Sequence, residues 1–220
     1  SPVQCQTCHT KDVPKHTFHK TVVGTGSDKS SMCKDCHGKH NVVSPNVTGG
    51  KFNKATIAND CGTCHSTQKD HFIRSAHGEA LSAKIKNAPS CLECHSVLYP
   101  SSSKSQNEAE KKLQQERMCM SCHGKKESTQ DVASEFVHAY EQSVHANALN
   151  KGNGKAANCV SCHSSHDMQK GSNPESKVNK KNIPSTCAQC HAEEVKTYKT
   201  SIHGTAFANG NTQSPVCTDC

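Results

Sequence analysis

Sixteen cysteines in a chain of 220 residues are spaced with a regularity that points to chemistry before any fold is considered. All of them fall into CxxC pairs: Cys5 and Cys8, Cys33 and Cys36, Cys61 and Cys64, Cys91 and Cys94, Cys119 and Cys122, Cys159 and Cys162, Cys187 and Cys190, Cys217 and Cys220. In the seven pairs that a further residue follows, that residue is histidine: His9, His37, His65, His95, His123, His163 and His191. Two thiols at this spacing can add across the two vinyl groups on one porphyrin edge, and the adjacent imidazole then falls beneath the ring to coordinate iron. CxxCH is the signature of covalent c-type haem attachment. Zinc sites and disulfide frameworks also use paired cysteines, but neither demands a histidine after every second one. A thioredoxin-like redox pair needs one motif on a βαβ scaffold, not eight motifs. The spacing predicts about eight covalent haem c groups.

Nine histidines remain: His16, His19, His40, His71, His77, His138, His145, His166 and His203. Four precede the even-numbered pairs by 14 residues each: His19 before Cys33, His77 before Cys91, His145 before Cys159 and His203 before Cys217. Three of these sit in a Ser-x-His-small context, and Thr17-Phe-His19-Lys is a looser copy. His40 and His166 belong to a CxxCHxxH pattern whose compact turn aims the second imidazole at a neighbouring haem; after His95 the pattern is lost at Leu98. Each iron needs a sixth ligand, and with only Met32, Met118, Met120 and Met168 to compete, bis-histidine ligation fits best. His16, His71 and His138 complete the candidate set, against the alternative that such histidines are surface or hydrogen-bonded structural residues. The tally is uneven, since the last unit offers only His203. A continuation past Cys220, or a histidine lent by another unit or molecule, would balance it.

The motifs recur as four two-haem units beginning at Cys5, Cys61, Cys119 and Cys187, covering approximately 1–50, 51–106, 107–181 and 182–220, the last truncated. Helices are expected at about 68–85, 107–121, 131–149 and 191–203. The third has a capping box from Ser128 to Asp131 and an apolar stripe of Val132, Phe136, Tyr140, Val144 and Ala148, with His138 and His145 in one sector. No alternating strand pattern of useful length occurs. Leu, Ile, Val and Phe number 30 of 220 residues, about 14%, below the roughly 20% under which a chain rarely folds alone. Porphyrin must supply the missing core. The fold class expected is a multihaem cytochrome c: short α-helices and irregular coil around a stacked haem chain, with little or no β-sheet. All 220 residues form one haem-cored chain.

The whole sequence resembles the multihaem c-type cytochromes of anaerobically respiring, often metal-reducing, bacteria. The likeness is strongest in Cys159-Val-Ser-Cys-His-Ser-Ser-His166, Asn182-Ile-Pro-Ser-Thr-Cys187-Ala-Gln-Cys-His191 and Ser201-Ile-His203-Gly-Thr-Ala. It implies redox partners that are other cytochromes or quinol-linked membrane donors on one side, and a terminal reductase or extracellular acceptor on the other. It also implies a periplasmic or cell-surface location.

About 28 residues per haem leave too little polypeptide to hold porphyrins apart, and iron ligated on both faces has no position for substrate. The expected function is therefore electron transfer along closely spaced, low-potential haems, not catalysis. The alternative is a nitrite, hydroxylamine or sulfur-oxyanion reductase with one open-site haem, for which the unread eighth motif leaves room. Assembly of copies into a conducting filament is a further expectation, from the surplus of histidines near the start and the deficit at the end. The formal charge is +7; sixteen propionates and eight ferric centres would bring it to about −1, and full reduction to about −9. The basic residues are then propionate partners, not a nucleic-acid surface. No apolar run approaches the roughly 18 residues of a membrane span.

Overall fold

The computed structural model describes residues 8, 37–38, 41–44, 47, 50–98, 107–124 and 132–219. Among the described residues there are short helices and coil, and no strand. In chain order the α-helices are α1 (Ile57–Gly62), α2 (Ser66–Ile73), α3 (Ala76–Ser82), α4 (Cys91–Leu98), α5 (Glu108–His123), α6 (Val132–Glu141), α7 (Val144–Asn150), α8 (Cys159–His163), α9 (Ile183–Cys187), α10 (Ala192–Thr200) and α11 (Ile202–Ala208).

One local design recurs three times. Ser75, Ser143 and Ser201 are extended N-caps whose side chains accept from the backbone N–H of Gly78, Ala146 and Gly204, satisfying a donor that the first turn leaves open. Nine residues after each serine the chain turns at a left-handed residue that ends the helix: Lys84 (φ 55°), Gly152 (φ 89°) and Gly210 (φ 91°). The next N–H folds back onto a helix carbonyl, Ile85 to Ala80 at 2.9 Å, Asn153 to Ala148 at 3.0 Å and Asn211 to Ala206 at 3.0 Å, which is the closing geometry of a Schellman cap. Start and stop are both written locally, so α3, α7 and α11 have the same length.

These caps correct the expected helices. The segments 68–85, 131–149 and 191–203 are each two helices, broken just before Ser75, Ser143 and Ser201. Serine offers the backbone an alternative to continuing the helix, and that wins over the apolar stripe. His138 and His145 therefore lie on different helices, α6 and α7. The expected helix at 107–121 is present as α5, with Asn107 and Glu110 forming a capping box. Ser128 and Asp131 lie outside the described residues.

Long-range hydrogen bonds assemble the pieces. Asn158, buried, donates through Nδ2 to Lys112 O at 3.1 Å and Gln115 Oε1 at 2.8 Å, tying α8 to α5. The Tyr140 hydroxyl lies 3.0 Å from Glu116 Oε2 and 3.2 Å from the Ala157 carbonyl. Tyr198 repeats that second contact by donating to Pro215 O at 3.0 Å. Farther apart in sequence, Ala76 N donates to Met168 O at 2.8 Å and Gln169 Nε2 to Arg74 O at 2.7 Å, fixing the strand of chain after α8 on the α2–α3 junction.

The apolar interior is thin. Its buried hydrophobic side chains are mostly alanine and valine, with Ile57, Leu149 and Ile183 the larger ones, and a cluster of Ala109, Leu149 and Ala156 supported by Leu113 and Ala148. Meanwhile Phe136, Val144 and Ile202 are 73%, 78% and 81% exposed. Val144 and Ile202 are the x of Ser-x-His, so apolar surface beside those imidazoles is left for a partner other than protein.

Candidate haem-binding sites

The CxxC pairs occupy two alternating settings. Cys61, Cys119 and Cys187 lie at or near the ends of α1, α5 and α9, whereas Cys91 and Cys159 open α4 and α8. In the second setting the inner residue before the second cysteine is a cap. Glu93 Oε2 accepts from Ser90 N at 2.8 Å, Ser161 Oγ from Asn158 N at 3.1 Å, and Asp219 Oδ2 from Val216 N at 2.9 Å. In the first setting the backbone turns on itself: His65 N donates to Cys61 O and His191 N to Cys187 O, both at 2.9 Å. His65 and His191 then cap α2 and α10 with nearly identical dihedrals. Among the described residues no cysteine forms a disulfide.

The sulfurs form a series. The first cysteines of neighbouring pairs lie beside each other: Cys61 with Cys91, Cys119 with Cys159, and Cys187 with Cys217. The second cysteines bridge to the next pair, Cys94 within electrostatic reach of Cys122 and Cys162 of Cys190. Each sulfur stands here for the thioether it would become. The contact with Cys61 holds the Cys91 thiol down to about 7, against burial. The Cys119 thiol is raised, first by its contact with Cys159 and then by burial. Burial and then Cys217 raise Cys187 to about 11.

The histidines come together in pairs. The rings of His77 and His123 have centres 5.9 Å apart, those of His95 and His166 are 6.0 Å apart and nearly parallel at 9°, and those of His145 and His191 are 6.0 Å apart. A metal–nitrogen bond of about 2 Å, with about 1 Å more from each nitrogen to its ring centre, places two imidazoles on one metal about 6 Å apart. The pairs have the separation that one iron would impose. Each joins a CxxCH histidine to one of the second set. Among the described residues no group of three or more His, Cys, Asp and Glu side chains converges as a zinc site requires. Donor set and spacing both fit haem.

Burial lowers the basicity of His77, His95, His163 and His166, and neighbouring imidazoles add to the effect: His123 on His77 and His163, His166 on His95, and His71 on His166. Neutral imidazole is the form that binds metal. His138 donates from Nδ1 to Glu141 Oε2 at 2.9 Å, and Glu194 Oε2 stands 3.9 Å from His191 Nδ1. Such carboxylates orient a ring for ligation through its other nitrogen. His37 packs its ring 5.1 Å from Phe52. His203 sits on α11 with the same cap as His77 and His145, its backbone carbonyl accepting from Ser214 Oγ at 2.8 Å, and its side chain exposed. Cys5, His9, His16, His19, Cys33, Cys36, His40 and Cys220 lie outside the described residues.

Three lysines belong to the sites although their type does not announce it. Lys54 pairs with Glu93 at 2.9 Å, Lys112 donates to Ala156 O at 2.8 Å, and Lys180 pairs with Asp219 at 3.2 Å. Each stands seven residues before Cys61, Cys119 or Cys187; Lys54 and Lys180 tie one motif to the cap of the next, and Lys112 donates to the carbonyl two residues before the Asn158 cap. That constant interval was the available signal.

Comparison with known proteins finds cytochrome families built on the same motifs. The family model for cytochrome c7 and related cytochrome c matches residues 75–164, that for the doubled CXXCH motif matches 23–70 and 150–196, and that for cytochrome c554 and c-prime matches 186–219. The multiheme cytochrome MtrA of Shewanella baltica (strain OS185) is 27% identical over 203 residues, covering 86% of this chain and 52% of the relative. The chain thus spans about half the length of that curated relative. No solved structure matches.

Proposed function

Because the chain belongs to the multihaem c-type cytochromes with paired CxxCH motifs and is an electron carrier of that class, we propose that it relays electrons along eight haems, one on each CxxC pair, every iron held between two histidines. When bound, haem iron supplies one-electron exchange between its ferric and ferrous states. The protein supplies attachment, orientation and a closed coordination sphere. The cysteines fix each porphyrin edge to a capped helix end. The CxxCH histidines and the second histidine set would hold the iron between them, leaving no position for substrate. Val144 and Ile202, left exposed by the polypeptide, cover porphyrin.

The observation that carries this reading is the trio of imidazole pairs at 5.9, 6.0 and 6.0 Å. The alternating sulfur contacts support an electron route in sequence order, from the Cys61–Cys64 pair to the Cys217–Cys220 pair. Ligation by two imidazoles, with much of the site open to water, favours the ferric state and low potentials.

Covalent haem attachment of this class puts the chain outside the cytoplasmic membrane, in the periplasm or at the cell surface. Among the described residues no helix is long and apolar enough to cross a membrane. Its partners on this reading are other cytochromes or quinol-linked donors, with a reductase or extracellular acceptor downstream. The exposed imidazole of His203 is the group through which one copy would ligate an iron of the next in a filament.

The test is electron paramagnetic resonance of the ferric protein combined with a reductive titration. Low-spin iron alone, taking up eight electrons per chain at low potential, is expected. High-spin iron, or binding of carbon monoxide to the reduced protein as purified, would overturn the closed-site reading in favour of a reductase.

A further inference from the structure

The imidazole pairs contain a regularity that the 14-residue spacing hides. His77 to His123 and His145 to His191 are both intervals of 46 residues, and these are the pairs whose rings stand 5.9 and 6.0 Å apart. The nearer motif histidine downstream of His77 is His95, yet the ring beside His95 is that of His166. The fixed distance of 14 residues therefore describes a scaffold of cap, short helix and left-handed stop, not a ligand and its own haem.

Chain length is consistent with the same pairing. From His19 to His65 the interval is again 46 residues, so three stretches that each contain two CxxCH motifs have one length. The connections between them vary: 10 residues from His9 to His19, 12 from His65 to His77, 22 from His123 to His145 and 12 from His191 to His203. Loop length is cheap to change where nothing pins the ends. Its variation falls outside the three stretches, as it would if the two end imidazoles of each were held by one metal.

We infer that His77 and His145 are each the sixth ligand of the second CxxCH haem after them, not the first: His77 on the iron above His123, and His145 on that above His191. The repeating unit is then a block closed on one iron, 77–123 and 145–191, out of phase with units counted from Cys61, Cys119 and Cys187. The assignment rests on the bis-histidine reading of the haems. It makes α3 and the end of α5 two jaws on one haem, and α7 and the turn before α10 two jaws on another.

The test counts high-spin iron by electron paramagnetic resonance in the full-length, haem-loaded protein. His77→Ala should convert one haem equivalent to high spin. In a Cys119→Ala/Cys122→Ala background, which removes the assigned haem, adding His77→Ala should produce no further high-spin iron. An equal gain in both backgrounds would overturn the assignment, and so would a gain abolished only by Cys91→Ala/Cys94→Ala. His145→Ala with Cys187→Ala/Cys190→Ala gives the same comparison in another block, should the first haem deletion prevent folding. High-spin iron in the unsubstituted protein would instead defeat the bis-histidine reading before any variant is compared.

Discussion

An imidazole uses one lone pair either for a proton or for a metal, so burial that lowers its basicity also prepares it to ligate. His166 is such a residue, its basicity reduced by burial and then by His71. Replacing it with alanine should open the iron above His95 and no other. One equivalent of cyanide would bind to the ferric His166→Ala protein, and a spectrum unchanged from the parent would contradict the pairing. Glu93 makes a different kind of prediction. Burial opposes its ionisation, but hydrogen bonds from Ser90 and contact with Lys54 prevail and lower its carboxyl from 4.5 to about 2. A carboxylate lowered on folding stabilises the fold above its unfolded value, and that contribution is lost as pH falls from about 4.5 through about 2. Glu93→Gln should therefore flatten acid unfolding in that window, as followed by circular dichroism. The difference should be modest, because the ion pair is half exposed and water screens it. The cysteines and their following histidines were legible from residue type and spacing alone. Lys54, Lys112 and Lys180 showed only as a constant interval of seven residues before a cysteine, because a lysine reads as a solvated charge until its partner is seen.

At the scale of elements, what sequence periodicity could not decide was where one helix becomes two. Val132, Phe136, Tyr140, Val144 and Ala148 share a four-residue rhythm, but Ser143 is extended (φ −72°, ψ 161°) and accepts from Ala146 N, so the rhythm crosses a break. Local hydrogen bonding beat the apolar stripe because that stripe faces little protein: Phe136 and Val144 are exposed. Ser143→Ala should cost about 1 kcal/mol, the usual worth of an N-cap, read as a lowered Tm of the haem-loaded protein. Tyr140→Phe removes a hydroxyl shared by Glu116 and the Ala157 carbonyl and should cost a similar amount, about 1 kcal/mol. Phe72 already stands at the corresponding place before Ser75, so the fold itself should survive. A wild-type Tm in both variants would show that haem ligation alone holds these turns. The 14-residue interval was visible beforehand, whereas its meaning as scaffold needed the ring pairs of His77 with His123 and His95 with His166.

The molecule as a whole is a polypeptide with too few large apolar side chains for its length, and among the described residues three pairs of imidazole rings stand 5.9, 6.0 and 6.0 Å apart. Composition made the deficit legible, and the structure locates it beside His145 and His203. The shape of the haem array was illegible because order depends on which sulfur meets which, and no spacing rule states that. Charge supplies a prediction at this scale. A chain of formal charge +7 carrying eight haems should be near neutral when oxidised, about −1, and markedly acidic when reduced, about −9. Native electrophoresis should show faster migration toward the anode after dithionite reduction. Unchanged, cathodic migration in both states would mean that the propionates are not there. The most direct measurement is the intact mass of the protein purified from a host able to attach haem c. Eight covalent haems on a chain that keeps the sequence through a complete eighth motif are predicted, and a mass equal to polypeptide alone, or to polypeptide with zinc, would contradict the account at its root.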